Sequence, residues 1–165
     1  MKHTIQFAVC SLLLIAPTSF AQSPGGLLAG GADPTGVAVQ DNQGNTTYYV
    51  VSTGRGINLS SSPDLRTWKR LGRVFEEDVP AWAKQEIPES NGIWAPDLSY
   101  HDGLYYLYYS VSSFGSQRSV IGLAVNKSLD PQSPDYEWVD RGKVIESWAD
   151  RVDFNAIDPA LFVDE

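Results

Sequence analysis

The carboxylates with the most chemical potential sit beside three prolines: Asp33-Pro34, Pro96-Asp97 and Asp158-Pro159. These prolines recur at intervals of 62 and 63 residues, so the aspartates return at nearly the same point of a repeating unit. Carboxylates that converge shift one another's proton affinity, as a general base and the partner of a general acid require. One Asp-Pro alone would mean only a turn, because Asp bonds to nearby backbone and Pro fixes φ. Recurrence at a fixed interval favours the chemical reading.

The elements that would carry these residues read as strands. Val37-Ala38-Val39 and Tyr48-Tyr49-Val50-Val51 flank a polar hairpin turn, Asp41-Asn42-Gln43-Gly44. The run Leu104–Tyr109 follows a tighter turn, His101-Asp102-Gly103. No stretch after the N-terminal segment keeps a helical period, apart from a possible turn around Trp82 to Glu86. Repetition then sets the architecture. Trp68, Gly72, Arg73, Val74 and Phe75 recur in type as Trp138, Gly142, Lys143, Val144 and Ile145 at identical spacing. Ile57–Ser62 resembles Ile121–Asn126 in the same way. Each period holds four short strand candidates, the content of one blade of a β-propeller. The competing architecture is an antiparallel sandwich with coincidental turns. On the propeller reading the chain holds about two blades and the start of a third at Pro159, and is expected to be the N-terminal part of a longer protein, because such a ring needs about four blades to close.

Composition excludes several functions. With 12 Lys+Arg against 20 Asp+Glu the net charge is −8, which gives no basic face on which to track nucleic-acid phosphates. A 42% hydrophobic and 19% charged content belongs to a globular chain. Residues 1–21 read as a signal peptide: Lys2, the mostly apolar run Ile5–Ala16, then Ser19 and Ala21 in a small-x-small pattern. A secreted or periplasmic protein is expected, with no membrane attachment after cleavage. Cys10 follows Val9, where a lipoprotein needs a small residue, and its removal leaves neither disulfide nor thiol catalysis available. His101 alone cannot build a His-rich zinc site.

Four motifs together resemble glycoside hydrolase family 43: Ala32-Asp33-Pro34, Trp94-Ala95-Pro96-Asp97, Ser110–Ser116 and Asn155–Ala160. The likeness runs from about residue 30 to the end and is nearest to arabinan endo-1,5-α-L-arabinosidases. It implies an all-β, five-bladed propeller that cleaves internal α-1,5-L-arabinofuranosidic bonds of the polysaccharide arabinan with inversion. By the same resemblance Asp33 matches the general base, although relatives often carry His where Ala32 stands. Asp158 matches the aspartate that orients the general acid and raises its pKa. The acid itself is implied to be a glutamate beyond Glu165, so these residues alone are expected to be inactive; Glu86, Glu89 and Glu146 are poor substitutes. The resemblance also implies a central metal ion, Ca2+, on a later blade, with no cofactor in this chain.

Substrate contacts are expected at Trp94, Asp97, Phe114, Gly115, Asn155 and Ile157. Trp94 could floor a sugar subsite or be blade packing. Phe114, in a Gly/Ser-rich loop, suits stacking on arabinose, and Gly115 would let backbone approach the sugar. Asn155 and the backbone around Ile157 resemble the family's glycone-binding positions. Trp68 and Trp138 read as packing, and His101 as a solvated turn residue. Two other functions remain open: a non-catalytic carbohydrate-binding propeller, and a family relative acting on xylan or fructan.

Overall fold

A computed structural model describes residues 31–164. The expected signal peptide, with Cys10, lies outside them. Two four-stranded antiparallel meanders follow one another along the chain. The first contains β1 (Thr35–Gln40), β2 (Thr46–Ser52), β3 (Asn58–Ser62) and β4 (Lys69–Arg73). The second contains β5 (Trp94–His101), β6 (Leu104–Val111), β7 (Ser119–Asn126) and β8 (Val139–Ser147). Each pairs in sequence order, which is the strand order of a propeller blade and not of a Greek-key sandwich. Between the blades lies α1 (Ala81–Glu86), where a helical turn was expected.

Turn chemistry explains the hairpins. Asp41 Oδ1 accepts from the backbone N–H of Gln43 and Asn45 at 2.8 and 2.9 Å, and Gly44 supplies φ +87°. Asp102 and Gly103 both have positive φ, as a two-residue turn matched to the twist of its strands requires. Asp64 holds the β3–β4 turn by accepting from Arg66 N and Thr67 N. Those hydrogen bonds, Thr67's first, hold its carboxyl down from 3.8 to about 2. The repeated glycines Gly72 and Gly142 have φ +143° and +79° next to register shifts, so the recurring Trp-x-x-x-Gly marks a bulge in each blade's outer strand.

One core runs through both blades. Val51, Ile57 and Leu59 of the first and Leu107, Tyr109, Val111 and Val120 of the second are buried. Val79, Ala83, Ile87 and Ile93 from the connecting segment close it. Tyr105, Leu107 and Tyr109 face inward while Tyr106 and Tyr108 are half-buried, the alternation that pleating imposes. Trp138 packs at the margin of this core, as expected of a blade-packing residue.

Candidate functional site

Strand alternation gathers the expected site residues at one end of the two blades. The first and third strands of each blade start at that end, and the second and fourth finish there. Asp33 immediately precedes β1, and Trp94 opens β5. Phe114 and Gly115 follow β6, and Asn155, Ile157 and Asp158 follow β8.

Register shows which positions are equivalent. Val51 pairs with Thr35, the residue after Pro34, and Tyr108 pairs with Asp97, the residue after Pro96. Thr53 and Ser110, each two residues further along, therefore match, and so do Asp33, Ala95 and Asp158, the residues before the three prolines. All three have positive φ, at 49°, 38° and 54°. A non-glycine residue is disfavoured there, and a following proline restricts it further, so local contacts must hold the conformation. Two of those contacts cross a blade boundary: Ala95 N donates to Thr53 Oγ1 at 2.8 Å, and Asp158 N donates to Ser110 Oγ at 2.9 Å. Thr53 Oγ1 also donates to Asp33 Oδ2 at 2.7 Å.

A second repeated link lies one step along. Leu98 N donates to Thr35 Oγ1 at 3.4 Å, and Leu161 N to Asp97 Oδ2 at 2.8 Å. Asp97 is thus not at the position shared by Asp33 and Asp158. One of its oxygens is used to join consecutive blades. Thr53 was missed in the sequence and Ser110 was read only as part of the Ser110–Ser116 motif, although both are hydroxyl residues at the end of a blade's second strand.

Phe114 is 96% exposed, and its ring centroid lies 4.9 Å from that of half-buried Trp94. The pair forms an apolar surface at the same end as Asp33. Gly115 has φ +77°, and nothing lies within 4 Å of where a side chain would begin, so the turn itself calls for glycine. Asn155 Oδ1 accepts from Ser119 Oγ at 2.6 Å and lies 3.2 Å from Ser147 Oγ. Ser147 Oγ accepts from Ala156 N at 3.0 Å, and Gln117 Nε2 donates to Val152 O and Phe154 O. This polar cluster, built on the buried Ser119 and Ser147, pins the segment that carries Ile157 and Asp158, and it engages the carbonyl end of exposed Asn155.

Glu86 and Glu146 are occupied elsewhere. Both pair with Arg118 and Lys143, and the Arg118 guanidinium stacks 3.8 Å from the Trp148 ring centre. The hydrogen bond from Lys143 above all holds Glu146 below the usual carboxylate range, which suits an ion pair and not a proton donor. Glu89 is exposed next to α1. Among the described residues no group of three or more His, Cys, Asp or Glu side chains is placed to hold a metal ion.

A family model described as Glycosyl hydrolases family 43 matches residues 30–165. The extracellular exo-α-(1→5)-L-arabinofuranosidase ArbA of Cellvibrio japonicus is 52% identical over 120 residues, which cover 72% of this chain and 34% of that protein. The arabinan endo-1,5-α-L-arabinosidase A of Aspergillus aculeatus is 34% identical over 155 residues, 93% of this chain and 46% of the relative. The Cellvibrio cellulosa α-L-arabinanase complexed with arabinohexaose superposes with a TM-score of 0.74 at 47% identity, over 82% of this chain and 41% of that one. The chain spans less than half the length of these relatives. The arabinanase structures are five-bladed β-propellers, and the two sheets here correspond to part of that fold.

Proposed function

The chain belongs to glycoside hydrolase family 43, and on that premise we propose that the protein containing it hydrolyses α-1,5-L-arabinofuranosidic bonds of arabinan, internal bonds included, with inversion. The observation that carries this reading is the shared placement of Asp33 and Asp158, in the same unusual backbone position at one end of the blades that also carries half-buried Trp94 and exposed Phe114. In the proposed mechanism Asp33 takes a proton from the water that attacks the anomeric carbon. Asp158 orients the general acid, a glutamate outside the described residues, and its negative charge keeps that acid protonated. Trp94 and Phe114 present flat apolar faces to the pentose, with Gly115 and Ile157 at the rim. Asn155, its carbonyl held by serines, offers its amide group to the sugar, and Asp97 offers its remaining oxygen.

Residues 1–21 are proposed to direct export; the ArbA relative is named extracellular. No described helix is long and apolar enough to cross a membrane. A second reading, release of sugars from chain ends, is favoured by the 52% identity to an enzyme named as exo-acting. A binding module without turnover is a third.

The test is digestion of debranched arabinan by the whole protein and its Asp33→Asn variant. Expected are short oligosaccharides from the former, at least 10³-fold less turnover by the latter, and near-silence on xylan. A ladder of oligomers supports internal cleavage, and a single small product supports chain-end release. No turnover by the whole protein, or equal activity on xylan, refutes the proposal.

A further inference from the structure

Thr53 stands between two blades and touches the proposed base. A backbone N–H can only donate, so the Ala95 amide, 2.8 Å from Thr53 Oγ1, must occupy a lone pair of that oxygen. The hydroxyl hydrogen is thereby directed at Asp33 Oδ2, 2.7 Å away. Thr53 N also donates to Ala32 O at 3.0 Å, tying the residue before Asp33 to the same position. The chain Ala95 N–H to Thr53 O–H to Asp33 thus has one polarity throughout. It leaves Asp33 Oδ1 without a hydrogen-bond partner among the described residues. At the next boundary Ser110 accepts from Asp158 N in the same manner, but it has no carboxylate in the place of Asp33.

We propose that Thr53 is a positioning residue: its hydroxyl, oriented by the amide of the second blade, fixes one oxygen of Asp33 and leaves the other to face the attacking water. This rests on the reading of Asp33 as the general base. Asp33 is exposed and lies in a bend just before β1, so without that contact its side chain has rotamer freedom at the point where reacting atoms must meet within a fraction of an ångström.

The test is steady-state kinetics of the whole protein on debranched arabinan with Thr53→Val, Thr53→Ser and Asp33→Asn. Misplacement of a reacting group by about 1 Å costs on the order of 10²-fold. Thr53→Val should therefore lower kcat by 10- to 100-fold with KM within about threefold. Thr53→Ser, which keeps the hydroxyl, should stay within about threefold of the parent in kcat. If Thr53→Val does not fold, judged by near-ultraviolet circular dichroism, Thr53→Ala is compared with Thr53→Ser in its place. Unchanged kcat on loss of the hydroxyl, an effect confined to KM, or equal losses in the hydroxyl-less and serine variants would overturn the positioning role while the base assignment stood. An active Asp33→Asn variant would overturn the base assignment instead.

Discussion

Gly122 faces Tyr109 directly across the β6–β7 ladder, and its lack of a side chain makes room for that ring. A Cβ at residue 122 would lie 2.4 Å from Tyr109 Cζ, 2.6 Å from Oη and 2.7 Å from Cε2. Tyr109 cannot yield cheaply. It is fully buried, edge-on to Phe75 at 5.2 Å between ring centres, and its hydroxyl donates to Asp140 Oδ1 at 2.9 Å. Trp82 Nε1 donates to the other oxygen of Asp140 at 2.8 Å, so the ring helps join α1 to the outer strand of the second blade. Burial, with the nearby Asp140 charge, pushes the Tyr109 phenol well above its ordinary value and keeps it a donor. Gly122→Ala should force the ring aside. Overpacking costs about 1–3 kcal/mol. Loss of a hydrogen bond to a charged acceptor adds about 1.5–3 kcal/mol. The gain from a stiffer unfolded chain returns about 0.4–1 kcal/mol. A net destabilisation of about 1.5–5.5 kcal/mol is expected, read as a lower urea midpoint by tryptophan fluorescence. In a Tyr109→Leu background the same substitution should cost less than about 1 kcal/mol, because the obstructing ring is gone. Equal cost in both backgrounds would refute the reasoning.

Two further outcomes follow from the charges. Arg118, 16% exposed between Glu86 and Glu146 and stacked on Trp148, should lose about 2–3 kcal/mol of stability as Arg118→Met, whereas Lys143→Met should cost under about 1 kcal/mol; urea midpoints in the same buffer compare them. Asp64 has a lowered folded pKa, so its contribution is fully present above the unfolded value of 3.8 and is lost as pH falls towards about 2. Asp64→Ala should therefore flatten the dependence of stability on pH between about 4 and 2, and an unchanged acid limb would show that the turn hydrogen bonds contribute nothing there.

Much of the fold was legible because its determinants are local or periodic. Asp41, Asp102-Gly103 and the paired Gly72 and Gly142 announce turns and bulges by residue type, and the recurring tryptophans mark successive outer strands. The inter-blade links were not legible. The β1–β2 turn spans Asp41–Asn45 and the β5–β6 turn only Asp102–Gly103, so Thr53 and Ser110 fall at unequal distances from their prolines and no fixed-interval comparison aligns them. Asp97 was grouped with Asp33 and Asp158 by its nearness to a proline, but strand register separates it from them. Asn155 gave no hint of the buried serines that hold it, since Ser119 and Ser147 come from β7 and β8 and meet only after the sheet forms.

Whether Asp33 serves as base at an inverting glycosidase site is read from the configuration of the first product. Inversion requires the base and acid carboxyls to stand roughly 6.5–9.5 Å apart, leaving space for a water on the far side of the scissile bond. Proton NMR of debranched arabinan, recorded within the first turnovers of the whole protein and before mutarotation, reports the anomer released. β-Configured reducing ends are expected from the α-linked chain. Initial release of the α-anomer would mean retention through a covalent intermediate, and the role given to Asp33 would be wrong.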